Sequence, residues 1–437
     1  MMVRFFYNII ALCLSGTIAL AGDWIIYTTS NSPIPTNHIR SVCIDSNGVK
    51  WFGSSQGLIH YTGTTWTTFT TADQLADNGI NDITAVKEIS TEQALWVATD
   101  NGVSQINLLG GDSVLIADAL RKENSGLVSN TVYAVASDKE QIRWFGTNQG
   151  LSLLIGNVWE SYSRFDLLTS NIILSITAGL GGWKYLATAG GGVNRLRYDA
   201  VDGITSASAI TREWSSIASD TVFAVFIDPR DVKWYGTRHG VSRHEGSNTQ
   251  TNWRTLTTSH GLIHNHVLAI AGDKEGGIWF GTAGGVSRLY NDHWQSWTKD
   301  SGLPGDTIHD IAADRDGSLW FAGNGGIAHL TSLNVALPRS EALSVPSDFK
   351  LKAYPNPFNQ SMKIYVQVPS AGMMTLRIHD QAGKEVRELF EGLLPAGDHV
   401  FYWDGSDRKG LHLSSGLYFL QARTGHRQET LKLVLLR

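Results

Sequence analysis

A short phrase recurs seven times along this chain: an aromatic residue, a bulky apolar residue, a small residue, then a polar turn ending in glycine. It reads Trp51-Phe52-Gly53, Trp96-Val97-Ala98, Trp144-Phe145-Gly146, Tyr185-Leu186-Ala187, Trp234-Tyr235-Gly236, Trp279-Phe280-Gly281 and Trp320-Phe321-Ala322. Successive copies begin 45, 48, 41, 49, 45 and 41 residues apart. A period of this length belongs to propeller blades and solenoid units, where each repeat buries its apolar face against the next. The repetition also aligns the chain with itself. Positions kept by every copy read as structural, and departures from the pattern become candidates for function.

The unit around Trp144 shows the local grammar. Asn130 to Val135 alternates and is rich in β-formers, Arg143 to Thr147 and Leu151 to Ile155 flank a hairpin, and Trp159 to Tyr162 makes a fourth strand. Four short antiparallel strands per period describe a propeller blade. Further fourth strands are expected at Trp66 to Phe69, Trp214 to Ile217, Trp253 to Leu256 and Trp294 to Trp297, with a degenerate one at Val114 to Ala117. None follows Leu330, whereas Trp24-Ile25-Ile26-Tyr27 stands alone near the start. The predicted fold is therefore all-β: a seven-bladed β-propeller over 22–333, closed by the N-terminal strand. Glycine 57, 102, 150, 240, 285 and 326 end the central hairpins, where positive φ is needed.

The ends of the chain read differently. Arg4 precedes an apolar stretch from Phe5 to Leu20, and Ala19-Leu20-Ala21 has the small-x-small form of a cleavage site, so 1–21 reads as a secretory signal peptide. Cys13 lies inside it, and the Leu12 before it is a poor fit to lipoprotein processing. That leaves Cys43 alone, without a disulfide partner. No other stretch is long and apolar enough to cross a bilayer as a helix. Secretion, or residence on the outer cell surface, is the expected address. With a net charge of −5 and no dense Lys/Arg run, nucleic acid is excluded as a partner.

Past a Pro/Ser/Ala-rich linker at 334–348 the period vanishes, and residues 349–437 show six alternating segments separated by turns, as in a small Ig-like β-sandwich. The expected strands are Met362 to Val368, Met374 to His379, Glu385 to Phe390, His399 to Trp403, Gly416 to Ala422 and Glu429 to Leu435.

Two resemblances attach to these residues. Gly126-Leu127-Val128-Ser129-Asn130, the Trp-Phe-Gly-Thr phrase and the following Gly-Leu-Ser or Gly-Val-Ser-Arg resemble the two-component-regulator propeller repeat. That family's propellers serve as periplasmic sensors of hybrid histidine kinases, but no kinase motif is visible here. Tyr354-Pro355-Asn356-Pro357-Phe358-Asn359, His379 to Val386, Pro395-Ala396-Gly397, Ser415 to Phe419 and Leu431 to Leu435 look like the C-terminal sorting domain of type IX secretion substrates. The same phrases are similar to the immunoglobulin-like domain of flagellar hook-capping proteins. The resemblance implies passage through the outer membrane by secretion machinery that handles the C-terminal domain.

Within the repeat, Asn37, Asn81, Asn130, Asn171, Asp220, Asn265 and Asp306 align as one column entering the innermost strands. Such a ring could hold a cation, or each member could cap its own turn through backbone N–H groups. Beside it, His38, Asp82, His266 and the nearby His260, His264 and His309 break the pattern, as do Asp100, Asn148, Gln149, Arg238 and His239 in the central hairpins. A polar, histidine-bearing rim suits an extracellular glycan, peptide or partner protein. No cofactor and no metal is assigned, because loop spacing alone does not bring three or four ligands together. Asp314-Arg315-Asp316-Gly317 opens like a calcium loop but lacks the distal Glu, and reads as a turn. Streptogramin lyases are propellers similar in outline, with a histidine and a metal at the mouth. By that resemblance His266 would be a base, His309 its partner and Asp310 an orienting group.

Overall fold

A computed structural model describes residues 24–331 and 349–436, apart from short interruptions at 88–92, 110–112, 118, 139, 200–201, 247, 360–361, 369–371, 395–396, 409–410 and 425–426. The predicted signal peptide and linker lie outside the described residues. The chain divides into two compact units, Met1–Asn334 and Val335–Arg437.

The first unit contains seven four-stranded antiparallel sheets among the described residues. We number them as blades 1 to 7 by their innermost strands: Ile39–Ile44, Ile80–Lys87, Val132–Ser137, Ile173–Ala178, Val222–Ile227, Val267–Gly272 and Ile308–Ala313. Each innermost strand packs against the next, and that of blade 7 packs against that of blade 1. The fourth strand of blade 7 is Trp24–Tyr27, with Trp24 opposite Leu330 and Tyr27 opposite Ile327.

The recurring phrase makes the core of each blade and the seam to its neighbour. Its opening aromatics are at most 4% exposed. Trp96 meets Phe145, Trp234 meets Phe280, Trp279 meets Phe321 and Trp320 meets Phe52, with ring centroids 5.5–5.8 Å apart. The first residue of one copy thus rests on the second residue of the next. Burial of each such side chain contributes about 1.5–3 kcal/mol. The indole N–H would be stranded in that seam, and in three blades an inner-turn aspartate accepts it: Trp51 to Asp45 at 3.1 Å, Trp144 to Asp138 at 2.9 Å and Trp279 to Asp273 at 2.8 Å. In blade 7 the Asp314 carboxylate instead pairs with Lys50 at 2.7 Å, and Gly317 N–H closes a turn on the Asp314 carbonyl. The hairpin glycine is required on two counts at Gly150: φ is 136°, and a Cβ would collide with the carbonyl oxygen of Tyr162.

Blade 4 corrects one expectation. Its outermost strand is Gly203–Ile210, and Trp214 to Ile217 lie in the connection to blade 5. The composition of that segment imitates a fourth strand, but its spacing does not. Trp214 falls 21 residues after the strand start at Val193, whereas Trp66 falls 9 after Gly57. The fourth strand of this blade carries no tryptophan, and four of its eight residues are exposed.

The second unit has two antiparallel sheets, one of Lys350–Tyr354, Met362–Val368 and Gly397–Trp403, the other of Glu385–Leu394, Gly372–His379, Gly416–Thr424 and Arg427–Leu435. Alternation sets their buried faces: Met362, Ile364, Val366 and Val368 from one sheet and Leu376, Ile378, Leu420 and Ala422 from the other join a single apolar cluster around Trp403. Lys350–Tyr354 is a strand the sequence reading did not include. Among the described residues no helix is long and apolar enough to cross a membrane.

Candidate functional site at the mouth of the propeller

Seven connecting turns build one face of the propeller. In each, a backbone N–H just after the last strand of one blade donates to an Asn or Asp side chain entering the next. The acceptors are Asn37, Asn78, Asn130, Asn171, Asp220, Asn265 and Asp306, at 2.7–2.9 Å. The column is a set of turn caps. In blade 2 the cap is Asn78, so the register assigned to Asn81 moves by three residues and Gly79, not Asp82, stands level with His38. The central hairpins reach the same face: Gly102 N–H bonds the Asn130 carbonyl and Gly240 N–H the Asn265 carbonyl.

In this frame the polar candidates separate into groups. His38 and His309 meet edge to face, with ring centroids 5.6 Å apart, and His309 Nε2 bonds Asn324 Oδ1 at 3.1 Å. Burial, with Arg40 close by, holds both imidazoles below their ordinary pKa. Arg40 Nη1 donates to Asn81 Oδ1 at 2.9 Å and Asp100 Oδ2 at 3.2 Å, and Asn81 Nδ2 donates to Asp100 Oδ1 at 3.0 Å. On the far side, His266 packs on Phe223 with ring centroids 4.7 Å apart, its Nε2 buried without a partner. Burial lowers its pKa, with Arg238 and His264 adding to the effect. His264 Nδ1 accepts the His266 backbone N–H at 3.0 Å. His260 Nδ1 caps its turn by accepting the Thr257 N–H at 3.2 Å. Asn148 accepts from Ser129 Oγ at 2.6 Å, while Gln149, Arg238 and His239 are exposed at hairpin tips.

Asp82 is not on the rim. Its two oxygens accept the N–H groups of Ile83 and, in the next blade, Val135, at 2.8 and 2.9 Å. Asp310 does the same for Ile311 and Val42, at 2.8 Å each. Both carboxyls lie deep among protein atoms although the channel leaves part of each residue accessible. Burial raises Asp82 to about 7 and Asp310 to about 6. With both oxygens engaged by backbone, Asp310 does not orient His309, and His309 pairs with His38 rather than His266. Among the described residues no three His, Cys, Asp or Glu side chains group so as to hold a metal ion.

A further ring escaped the sequence reading. Every innermost strand carries a bulge at the same place, where pairing skips one residue: Arg40, Asn81, Tyr133, Leu174, Phe223, Leu268 and His309. All seven are half-buried, and each follows a residue at most 1% exposed. A bulge leaves its extra residue unpaired and re-aims it. The ring is polar across blades 7, 1, 2 and 3 and apolar across blades 4, 5 and 6. It could have been found as the third position after the capping Asn or Asp.

Residues 261–284 and 302–325 match the model of the two component regulator propeller, and residues 356–427 match that of the FlgD Ig-like domain. The chain carries two-component-regulator propeller repeats and a FlgD Ig-like domain. No curated protein matches it in sequence. Among solved structures it is similar to the extracellular domain of a putative hybrid two component system from B. thetaiotaomicron, with 16% identity and a TM-score of 0.60, covering 95% of this chain and 57% of that one. It is also similar to PorZ of Porphyromonas gingivalis, described as an essential bacterial surface component of the type-IX secretion system. There identity is 17%, the TM-score 0.54, and the match covers 92% of this chain and 60% of PorZ. The chain thus spans less than two thirds of either protein. Streptogramin B lyase matches 72% of this chain over 99% of its own, at 13% identity and a TM-score of 0.54. At such identities the likeness is one of fold.

Proposed function

We propose that this chain is an exported bacterial binding protein: a closed seven-bladed propeller takes an extracellular ligand at its mouth, and a C-terminal Ig-like sandwich serves type IX secretion or surface attachment. One observation carries the binding reading. The bulge ring and the turns around it stay regular wherever they cap or pack, and their departures gather on one face. Circular contact of the seven innermost strands and the pairing of Trp24–Tyr27 with Gly326–Leu330 support closure. Two inner-facing sheets with one core support the sandwich. Similarity to extracellular and surface proteins supports the address.

The test is a binding screen of the full chain against extracellular polysaccharides, peptides and envelope proteins, repeated with Arg40→Ala and Phe223→Ala, one from each side of the ring. Loss of captured ligand in either variant supports the reading; identical binding by both variants and the parent overturns it. Display of the chain lacking 341–437 tests the sorting role, and normal surface display sinks it. A sensor module acting with a separate signalling protein is the second reading, favoured by the two-component-regulator repeats. The lyase reading draws no support from the scattered histidines.

A further inference from the structure

The perimeter of the propeller is a circle of outermost strands, and the blades guard that edge unequally. A free strand edge offers backbone N–H and C=O groups to any strand that approaches, and natural sheets blunt it by shortness or by charge. Six outermost strands are short: Trp24–Tyr27, Trp66–Phe69, Val114–Ile116, Val158–Tyr162, Trp253–Leu256 and His293–Trp297 have three to five residues each. Glu160 and Arg254 add charge to two of them. Blade 4 departs from this. Its outermost strand, Gly203–Ile210, has eight residues, none of them charged and none proline.

Thr205, Ser206, Ala207 and Ser208 are consecutive and all exposed. Successive side chains of a strand point to opposite faces, so here both faces stand clear of their neighbours. None of the other six outermost strands has two consecutive exposed residues. A bulge at Thr205 interrupts the ladder near the start of the strand. From Ser206 to Ile210 the pairing with Val193 to Arg197 is regular, and among the described residues no strand pairs with the outer side.

We infer that this edge pairs antiparallel with the same edge of a second copy of the chain, joining two blade 4 sheets into one across a two-fold axis. Such an interface is isologous, so the strand must complement itself. Directly opposed residues share a face, which places the axis at a residue that meets its own copy. Ala207, inside the exposed run, is that residue, and Ser206 then stands opposite Ser208 of the copy on both sides of it. Hydroxyls opposed in this way hydrogen-bond across strands. Charge at the strand ends selects the orientation. Asp199 and Asp202 precede the strand, whereas Arg212 and Glu213 follow it and cancel. Parallel pairing would set two acidic ends together; antiparallel pairing brings each Asp202 to the end that carries Arg212 of the copy. Asp202 and Arg212 are exposed, and neither is in an ion pair among the described residues. A contact of eight residues a side is smaller than the roughly 20–30 of a standard interface, which makes the pair weak and concentration-dependent. The outermost strand runs towards the mouth, so the two mouths of the pair face opposite ways. The inference concerns the perimeter and stands apart from whatever the mouth binds.

The experiment is sedimentation velocity of the full chain from about 1 to 300 μM, a span that covers weak association. The sedimentation coefficient should rise with concentration from that of a monomer to that of a dimer. Ala207→Lys and Ala207→Glu each set like charges face to face at the axis, and each should raise the midpoint of dimerisation at least about 10-fold. An equimolar mixture of the two variants opposes Lys to Glu and should restore the dimer. Val158→Lys, at a 63% exposed site on the outermost strand of blade 3, should leave dimerisation unchanged. Ala207 is exposed, and lysine is a common residue on natural strand edges, so loss of the dimer there is not loss of fold; thermal melting of each variant checks this. A monomer at every concentration overturns the inference, including where the edge takes up a strand of another protein instead. A dimer that survives Ala207→Lys overturns it as well, because the contact then lies elsewhere. So does a mixture that fails to restore the dimer lost in both single variants, since Ala207 is then not opposed to its own copy.

Discussion

The two sides of the propeller mouth stand on the same backbone and differ in how far they satisfy themselves. Across blades 7, 1 and 2 the polar side chains have one another: Arg40 holds Asn81 and Asp100, and His309 holds Asn324 and faces His38. Across blades 4 and 5, Phe165, Ile172 and Trp214 are exposed. Binding energy therefore remains available on the two sides to different extents. A paired polar cluster must give up hydrogen bonds to take a ligand, so its net gain is small. An exposed apolar group gains about 25 cal/mol for each Å² it buries. The side with the conspicuous chemistry is therefore the poorer candidate for the main anchor.

The comparison presumes one shared scaffold, and the largest expected effect tests that. Phe52 in blade 1 and Leu186 in blade 4 occupy the same position of the repeated phrase and are fully buried. Phe52→Ala and Leu186→Ala should each destabilise by about 2–5 kcal/mol, read from denaturant midpoints. A loss near zero on either side would show that the two arcs do not rest on equivalent blades.

The second effect belongs to the polar side alone. Asp82 and Asp310 are held above the ordinary carboxyl range by burial, to about 7 and about 6, against about 3.9 unfolded. A raised carboxyl pKa means that the folded state binds the proton more tightly. Its stabilisation is complete below the unfolded pKa and is lost as pH rises through the folded one. The equivalent positions on the other side are Ser175, Ala224 and Ala269, which do not titrate. Neutral, partly buried histidines pull in the opposite sense, since acid must charge them. Asp82→Asn/Asp310→Asn therefore isolates the pair. Relative to that variant, the parent should gain on the order of 1–3 kcal/mol between pH 8 and pH 5. Parallel pH profiles would remove the carboxylates from the account.

How much of this was legible depended on what repetition could resolve. Seven copies of one phrase fixed blade number and core, because those residues pack in the same way each time. Three things stayed hidden. A bulge is a property of pairing, and no residue type announces it, so nothing in the identities of Arg40 and its six equivalents marks them as a ring. The capping column slips in blade 2 because Asn78 and Asn81 each stand two residues before an isoleucine, and only the bond from the Thr71 N–H separates them. The composition of Trp214 to Ile217 imitates a strand, although its distance from Val193 argues against one. Histidines drew attention for their chemistry, yet the structure employs His260 as a cap and His264 as a backbone acceptor.

A third, smaller effect compares hairpins. Gly150→Ala places a methyl group against the Tyr162 carbonyl at φ 136°. It should cost more than the roughly 1 kcal/mol expected of positive φ alone. Gly190→Ala has φ 88° and open space, so it should cost only that smaller amount. Equal melting temperatures for the two would mean that the blade 4 hairpin is packed from above.

The smallest expected effect has the opposite sign. Six blades place a side-chain acceptor where blade 5 has Trp214. In those turns the acceptor satisfies an N–H that otherwise faces water or goes unpaired, a service worth about 0.5–2 kcal/mol where helices are capped in this way. Trp214→Asn restores the acceptor and removes a 62% exposed indole whose burial contributes little to the fold. The variant should melt higher than the parent, by about 0.5–1 kcal/mol in stability. A residue that lowers stability and is retained at the surface has to be explained by something outside the folded monomer. If Trp214→Asn instead lowers stability, the indole is a packing element of the blade 4–5 connection, and the contrast between the two sides of the mouth loses its strongest member.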